Sequence, residues 1–333
     1  MSPRSDSVTF MEYTHLGRSG LSVSRLCLGT MNFGPQSSEQ ESHLILDTAQ
    51  QAGINFVDTA NVYGWKKGEG VTEKIVGRWF ADGGGRREKT ILATKLYGSM
   101  SDWPNDTFLS ARNIVKACEA SLTRLQTDYI DLYQMHHVDL RTPWEEIWQA
   151  YETLVSQGKV IYAGSSNFAA WHIVRAQHEA RERHFMGLVS EQSHYNLLER
   201  TVELEVLPAC QEYGVGVIAW SPLGGGLLGG ILGKSEGGRS HSDMIQKRLD
   251  QTRPQIEAYE TLCKQIGQNP AHVGLAWLLD QPAVTCPIIG PRSVDQLVDS
   301  LRSLEVNLDQ DTQERLDQIF PGHPRPAPEA YAW

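Results

Sequence analysis

Positive charge is scarce in this chain. Its 30 Lys and Arg residues face 40 Asp and Glu, leaving a formal net charge of −10. A general nucleic-acid binder needs clustered cations to meet phosphates, so that class is excluded. Cysteine is scarce too. Cys27, Cys118, Cys210, Cys263 and Cys286 are odd in number, widely scattered and never paired as Cys-x-x-Cys. That argues against a disulfide framework and a zinc site, and for buried thiols in a reducing cytoplasm. The opening stretch MSPRSDSVTF has no apolar signal region, so a cytoplasmic location is expected. The uncharged run 215–233 holds Pro222 and seven glycines, too poor in helix propensity for a membrane span. It reads instead as a buried strand entering a glycine-rich loop. No Gly-x-Gly-x-x-Gly turn follows any strand, and Gly-Lys-Ser at 233–235 is no P-loop because Leu228 replaces its first glycine.

What the chain does have is rhythm. A short hairpin is expected over about 10–25, turning at Arg18-Ser19-Gly20. From Leu26 onward, short apolar strands alternate with amphipathic helices. Strands are expected over 26–30, 55–58, 90–95, 129–136, 160–165, 188–192, 216–220 and 285–289. Helices are expected over 38–53, 72–80, 110–125, 144–157, 171–183, 201–213, 255–266, 271–280 and 294–301. Eight strand–helix units with short links most simply close into a (β/α)8 TIM barrel, with a doubly wound open sheet as the competitor. The 333 residues divide into a hairpin, a barrel over about 26–305 and an extension over about 306–333, all one domain. The Pro-rich tail from Pro321 to Trp333 either stays disordered or folds over the barrel mouth.

In such a barrel, chemistry belongs at the C-terminal ends of the strands. Phe56-Val57-Asp58 ends the second strand, with Tyr63 just beyond; Lys95 ends the third and His136 the fourth. Singly, each has an ordinary explanation as a turn cap, a packed ring, a solvated amine or a core imidazole. Together they supply an acid, a phenol, an amine and an imidazole from three neighbouring strands. A phenol near its ordinary pKa of ~10 is a poor proton donor at neutrality. An adjacent ammonium is expected to lower that pKa, an Asp to fix the Lys, and a His to orient a carbonyl oxygen. The set suits proton delivery to an alkoxide formed by hydride attack. A metal site at His136-His137-Val138-Asp139 is disfavoured, because strand neighbours point to opposite faces.

Asp58-x4-Tyr63, Lys95 in Ala-Thr-Lys and His136 in Asp-Leu-Tyr-Gln-Met-His resemble the catalytic tetrad of the aldo-keto reductase family, in order and spacing. The resemblance covers about residues 10–305 and implies a barrel that uses NADPH without a Rossmann fold. In Gly164-Ser165-Ser166-Asn167-Phe168, it implies that Ser166 and Asn167 hold the nicotinamide carboxamide together with Gln192. Trp220 would stack on the nicotinamide, and Thr30 and Met31 would close its other side. Ser221, Pro222, Leu223, Gly224, Gly225 and Gly226 would wrap the pyrophosphate with backbone N–H groups. Gly290, Arg292, Gln296 and Asp299 would meet the adenosine end, Arg292 gripping a 2′-phosphate. The branch nearest potassium-channel β subunits places a Lys after the glycines; Ile231 stands there, leaving Lys234 or Arg239 to compensate.

Within the family, the stretches around 63–80 and 189–210 look most like dTDP-4-keto-6-deoxyhexose 2,3-reductases. Trp65, Lys66 and Lys67 follow Tyr63, where a ring could stack on a sugar and lysines attract a diphosphate. The expected activity is NADPH-dependent reduction of a small carbonyl compound, a sugar-nucleotide ketone among the candidates. A broad aldehyde and ketone reductase shares the tetrad. An NADPH-sensing regulatory subunit is the third reading, but channel β subunits carry Asn where this chain has His136.

Overall fold

The structure, a computed structural model, describes residues 11–233 and 243–332. Eight parallel strands pair edge to edge into a closed barrel. They are β3 (Cys27–Gly29), β4 (Phe56–Asp58), β5 (Ile91–Leu96), β6 (Ile130–Met135), β7 (Val160–Ser166), β8 (Leu188–His194), β9 (Gly216–Trp220) and β10 (Val284–Ile289). Closure comes from β10 pairing with β3, Ile288 opposite Cys27. The strands are buried on both faces, so their lower parts are largely apolar and their polar residues sit in buried hydrogen-bonded positions. The α-helices among the described residues are α1 (Glu39–Gln51), α2 (Val71–Ala81), α3 (Ala111–Leu125), α4 (Trp144–Ser156), α5 (Ala170–Glu182), α6 (Val206–Tyr213), α7 (Asp243–Gln265), α8 (Pro270–Leu279), α9 (Val294–Leu301), α10 (Gln310–Ile319) and α11 (Glu329–Ala332). Ser38 and Ser110 cap α1 and α3, each accepting a backbone N–H three residues on, from Glu41 and Asn113. Among the described residues no helix is long and apolar enough to cross a membrane.

The hairpin, β1 (Tyr13–His15) and β2 (Ser22–Ser24), is antiparallel as expected and plugs the N-terminal end of the barrel. Leu16 is fully buried in the inner cluster with Cys27, Phe56, Ala93, Leu132, Val189, Ile218 and Cys286. Gly17 allows this approach. A Cβ there would stand 2.5 Å from the carbonyl oxygens of Val189 and Gly214, and its φ of +57° is left-handed.

Two elements differ from the sequence-based expectation, and proline explains one of them. The helix expected over 201–213 is a short 3-10 turn, Thr201–Glu203, followed by α6. Pro208 cannot donate to the carbonyl four residues back, but it is tolerated in the first turn of a helix starting at Val206. The helix expected from Gln255 starts at Asp243 and runs through Pro254. The buried side chains of Ile245 and Leu249, one turn apart, anchor the added turns. The tail docks on the segment between β8 and α6: Ala327 N–H donates to Leu204 O at 3.0 Å.

Candidate active site

Four inward-facing polar side chains form a layer across the upper barrel: Asp58 from β4, Lys95 from β5, Gln134 from β6 and Gln192 from β8. All are buried. Lys95 Nζ donates to Asp58 Oδ1, to Thr59 O at 2.9 Å and to Tyr63 Oη at 3.3 Å. Gln134 Nε2 and Gln192 Nε2 each donate to Asp58 Oδ2 at 3.0 Å. The carboxylate is therefore saturated, as a buried charge must be. The Tyr63 ring stands edge-on to His136, centroids 6.0 Å apart, and Lys95 Nζ lies 5.0 Å from its centroid. The structure thus brings all four tetrad candidates together.

Protonation follows from burial and charge. Burial raises the Tyr63 phenol, and Asp58 adds to the rise; the opposing pull of Lys95 does not win. This corrects the expectation of a lowered phenol, because the sequence shows the charges but not the desolvation. Burial disfavours the Lys95 ammonium, yet Asp58 and Tyr63 more than offset it and hold the pKa above its ordinary value. Burial, then Lys95 and His137, push His136 down to about 3. At neutral pH the cluster presents a protonated phenol, an ammonium and a neutral imidazole. The His136 and His137 rings lie nearly parallel, 5.4 Å between centroids, closer than strand alternation would put them. Strand β6 ends at Met135, so the alternation does not reach them. Among the described residues no three metal-type ligands gather.

A second cluster flanks the first. Asn167, in the left-handed region at φ +60°, is its hub. Its Nδ2 donates to Ser166 Oγ at 2.9 Å and His136 O at 3.3 Å, and its Oδ1 accepts from Trp220 Nε1 at 3.0 Å. Ser166 Oγ donates to Gln192 O at 2.8 Å. Trp220 stacks on His194, centroids 4.2 Å apart and planes within 11°. Ser221, at φ +53°, is held by Asn196 Nδ2, which donates to its carbonyl at 3.0 Å. Beyond Pro222 and Leu223, the glycines Gly224, Gly225 and Gly226 form a 3-10 turn with left-handed φ throughout. A Cβ on Gly225 would stand 2.8 Å from Ile245 Cδ1 of α7, and its φ of +73° would strain any other residue there.

The remaining candidates are partly gathered. Thr30 Oγ1 donates to Asp58 O at 2.9 Å, and Met31 is exposed. Gly290 O accepts from Asn32 Nδ2 at 2.8 Å, and Arg292 N–H donates to Gln296 Oε1 at 2.9 Å at the start of α9. Asp299 lies further along α9 and pairs with His272 Nε2 at 3.0 Å. Trp65 is exposed; Lys66 faces Glu69 at 3.9 Å, and Lys67 pairs with Asp102 of the β5–α3 loop. Lys234 and Arg239 lie outside the described residues. Sequence reasoning missed Gln134, Glu191, His194 and Asn196. Gln134 had a signal: it is a polar residue two places before His136, in the otherwise apolar segment 132–135 of β6.

Fold and cluster together define a class, a (β/α)8 oxidoreductase barrel. The sequence model of the aldo/keto reductase family matches residues 25–320, and the chain belongs to that family. It is 56% identical to the uncharacterized oxidoreductase YrpG of Bacillus subtilis (strain 168), across 97% of this chain and 100% of that protein. It is 34% identical to a probable voltage-gated potassium channel subunit beta of Oryza sativa subsp. japonica, across 89% of this chain and 92% of that one. It is 32% identical to versiconal hemiacetal acetate reductase of Aspergillus parasiticus, across 93% and 97% of the two chains.

Proposed function

We propose that this aldo/keto reductase is an NADPH-dependent carbonyl reductase in which Tyr63 is the general acid. The observation that carries the reading is Lys95 Nζ, bonded to Asp58 and 3.3 Å from Tyr63 Oη, beside a neutral His136. A bound NADPH would supply the hydride to the carbonyl carbon. Tyr63, kept protonated, donates to the carbonyl oxygen and gives up its proton as negative charge develops there. Lys95 stabilises the phenolate that remains, and Asp58 fixes Lys95. His136 orients the oxygen through a hydrogen bond from its neutral ring.

The residues present fit such a cofactor. Trp220 offers an indole whose one face is backed by His194 and whose N–H is fixed by Asn167. The Gly224–Gly226 turn, left-handed at all three glycines, would bring backbone N–H groups close to a ligand. Ser166, Asn167 and Gln192 would hold the carboxamide. Ser221 through Gly226 would hold the pyrophosphate, with Thr30 and Met31 on the nicotinamide side. Gly290, Arg292 and Gln296 would meet the adenosine end; Asp299, engaged by His272, supports that end only if it exchanges partners.

For the substrate, we infer a ketone on a sugar nucleotide. Trp65, exposed directly after Tyr63, offers a stacking face, and a diphosphate would compete with Asp102 for Lys67. NADPH oxidation at 340 nm against simple aldehydes, diketones and keto-sugar nucleotides, with Tyr63→Phe as control, tests this. Turnover confined to keto-sugar nucleotides supports it; turnover of simple carbonyls makes the protein a general reductase. Binding of NADPH without any turnover would favour a cofactor-sensing regulatory subunit.

A further inference from the structure

Strand β8 carries two consecutive polar residues that face opposite ways. Gln192 turns into the barrel and reaches Asp58. Glu191 turns outward, is completely buried, and takes no part in the proton chemistry above. A carboxylate out of water is costly unless donors surround it. Here they do. Phe168 N–H donates to Glu191 Oε1 at 3.0 Å, Ser193 Oγ donates to the same oxygen at 3.0 Å, and the Ser165 hydroxyl donates to Oε2. Two of the three donors flank Ser166 and Asn167. The turn they hold is one the backbone resists, because Asn167 is left-handed without being glycine.

We propose that Glu191 is a positioning residue for the cofactor shelf, its carboxylate locking the 165–168 turn so that Asn167 can hold Trp220 and the carbonyl of His136. This rests on the NADPH reading of the site. The path is short: Glu191 to Phe168 N–H, Asn167 next along the backbone, then Asn167 Oδ1 to Trp220 Nε1 at 3.0 Å. Only an acceptor-only group with two oxygens meets all three donors. Glutamine keeps the shape but turns an NH2 toward one of them.

The environment adds a pH signature. Burial pushes the Glu191 carboxyl up to about 7, against the pull of Ser165, Phe168, Ser193 and the Asn167 backbone. Strand β9 brings only apolar side chains alongside, such as Val217 and Ala219. The titratable side chains on the buried faces of α5 and α6 are His172, which burial keeps neutral, and Cys210, a thiol that burial raises and the Glu191 charge raises further. A protonated Glu191 exchanges an acceptor for a donor, which loosens the turn.

The test is calorimetric titration of NADPH into wild-type, Glu191→Gln and Ser165→Ala proteins across pH 6 to 8, with melting temperature and amide exchange of residues 166–168 in the free proteins. Glu191→Gln is expected to raise Kd about tenfold, the loss of one charge-assisted hydrogen bond. It should speed exchange at Phe168 and act on Kd more strongly than on kcat at saturating NADPH. Wild-type affinity should fall as pH drops through neutrality, and Glu191→Gln should lose that step. The cofactor's own 2′-phosphate titrates near ~6 in both proteins and cancels in the comparison. A folded Glu191→Gln with wild-type Kd, pH profile and exchange overturns the proposal. Should that variant not fold, an unchanged Kd and exchange in Ser165→Ala overturns it instead. A wild-type protein that binds no nicotinamide dinucleotide removes the functional reading itself. Binding unaltered by the variants removes only the role of Glu191.

Discussion

Gln134 of β6 donates to Asp58 of β4 at 3.0 Å, on the carboxylate oxygen that Lys95 leaves to the amides. Gln134→Leu removes one of the two amide donors on that oxygen, the other being Gln192. A buried acceptor stripped of a partner costs about 1–3 kcal/mol. We expect stability in urea to fall by roughly that much, and kcat by about tenfold as Asp58 shifts its hold on Lys95. Unchanged kcat would mean that Asp58 does not need the amide layer to place Lys95.

Tyr63→Phe keeps the ring and removes the proton. Loss of a general acid removes about 10²–10⁴ of rate. NADPH affinity should stay near wild type, measured by calorimetry beside the rate. Because burial holds the phenol above its ordinary value, the wild-type reduction rate should show no alkaline loss until above about pH 10. A basic limb near neutrality would place the proton on another group.

Trp220 has two separable jobs. Trp220→Phe keeps a stacking face and loses the bond to Asn167; Trp220→Ala loses both. NADPH Kd should rise in that order, the alanine variant by about tenfold or more, in line with ~0.5–1.5 kcal/mol for the ring contact plus the hydrogen bond. Equal affinity in all three proteins would take the indole out of the cofactor site.

His136 links stability to acid. Its folded pKa, about 3, lies below the ordinary value of ~6.5, so the unfolded chain takes up the proton first. The contribution is therefore complete above pH ~6.5 and is lost as pH falls toward about 3, at up to ~1.4 kcal/mol per unit. Urea unfolding at pH 7 and 4.5 should show a larger drop for wild type than for His136→Asn. Equal drops would mean that the imidazole is not held neutral.

The barrel was legible because its two periods are hard to confuse: apolar strands of three to seven residues between helices that bury every third or fourth side chain. The start of α7 was not, since Pro254 reads as a boundary and only contact of Ile245 with Gly225 shows why the helix begins earlier. The tetrad was legible as residue types at strand ends. Its protonation was not, because the sign of the Tyr63 shift depends on burial outweighing a visible Lys95. Glu191 and Gln134 were passed over for a related reason. A polar residue inside an apolar strand declares itself only when its donors or acceptors arrive from elsewhere in the chain.

The plug at the bottom of the barrel also fixes an order of events. Gly17 lies against the carbonyl oxygens of Val189 and Gly214, and Arg18 N–H donates to Gly214 O at 2.7 Å. These partners are made only as residues 189 and 214. Strand β3 likewise has an unpaired edge until Val284–Ile289 is made. The earliest described segment to be synthesised must therefore wait, with Leu16 and Val23 unsheltered, for nearly the last. Translation through residue 289 becomes the chain's vulnerable interval, when an open edge and a loose apolar hairpin stand exposed to other chains.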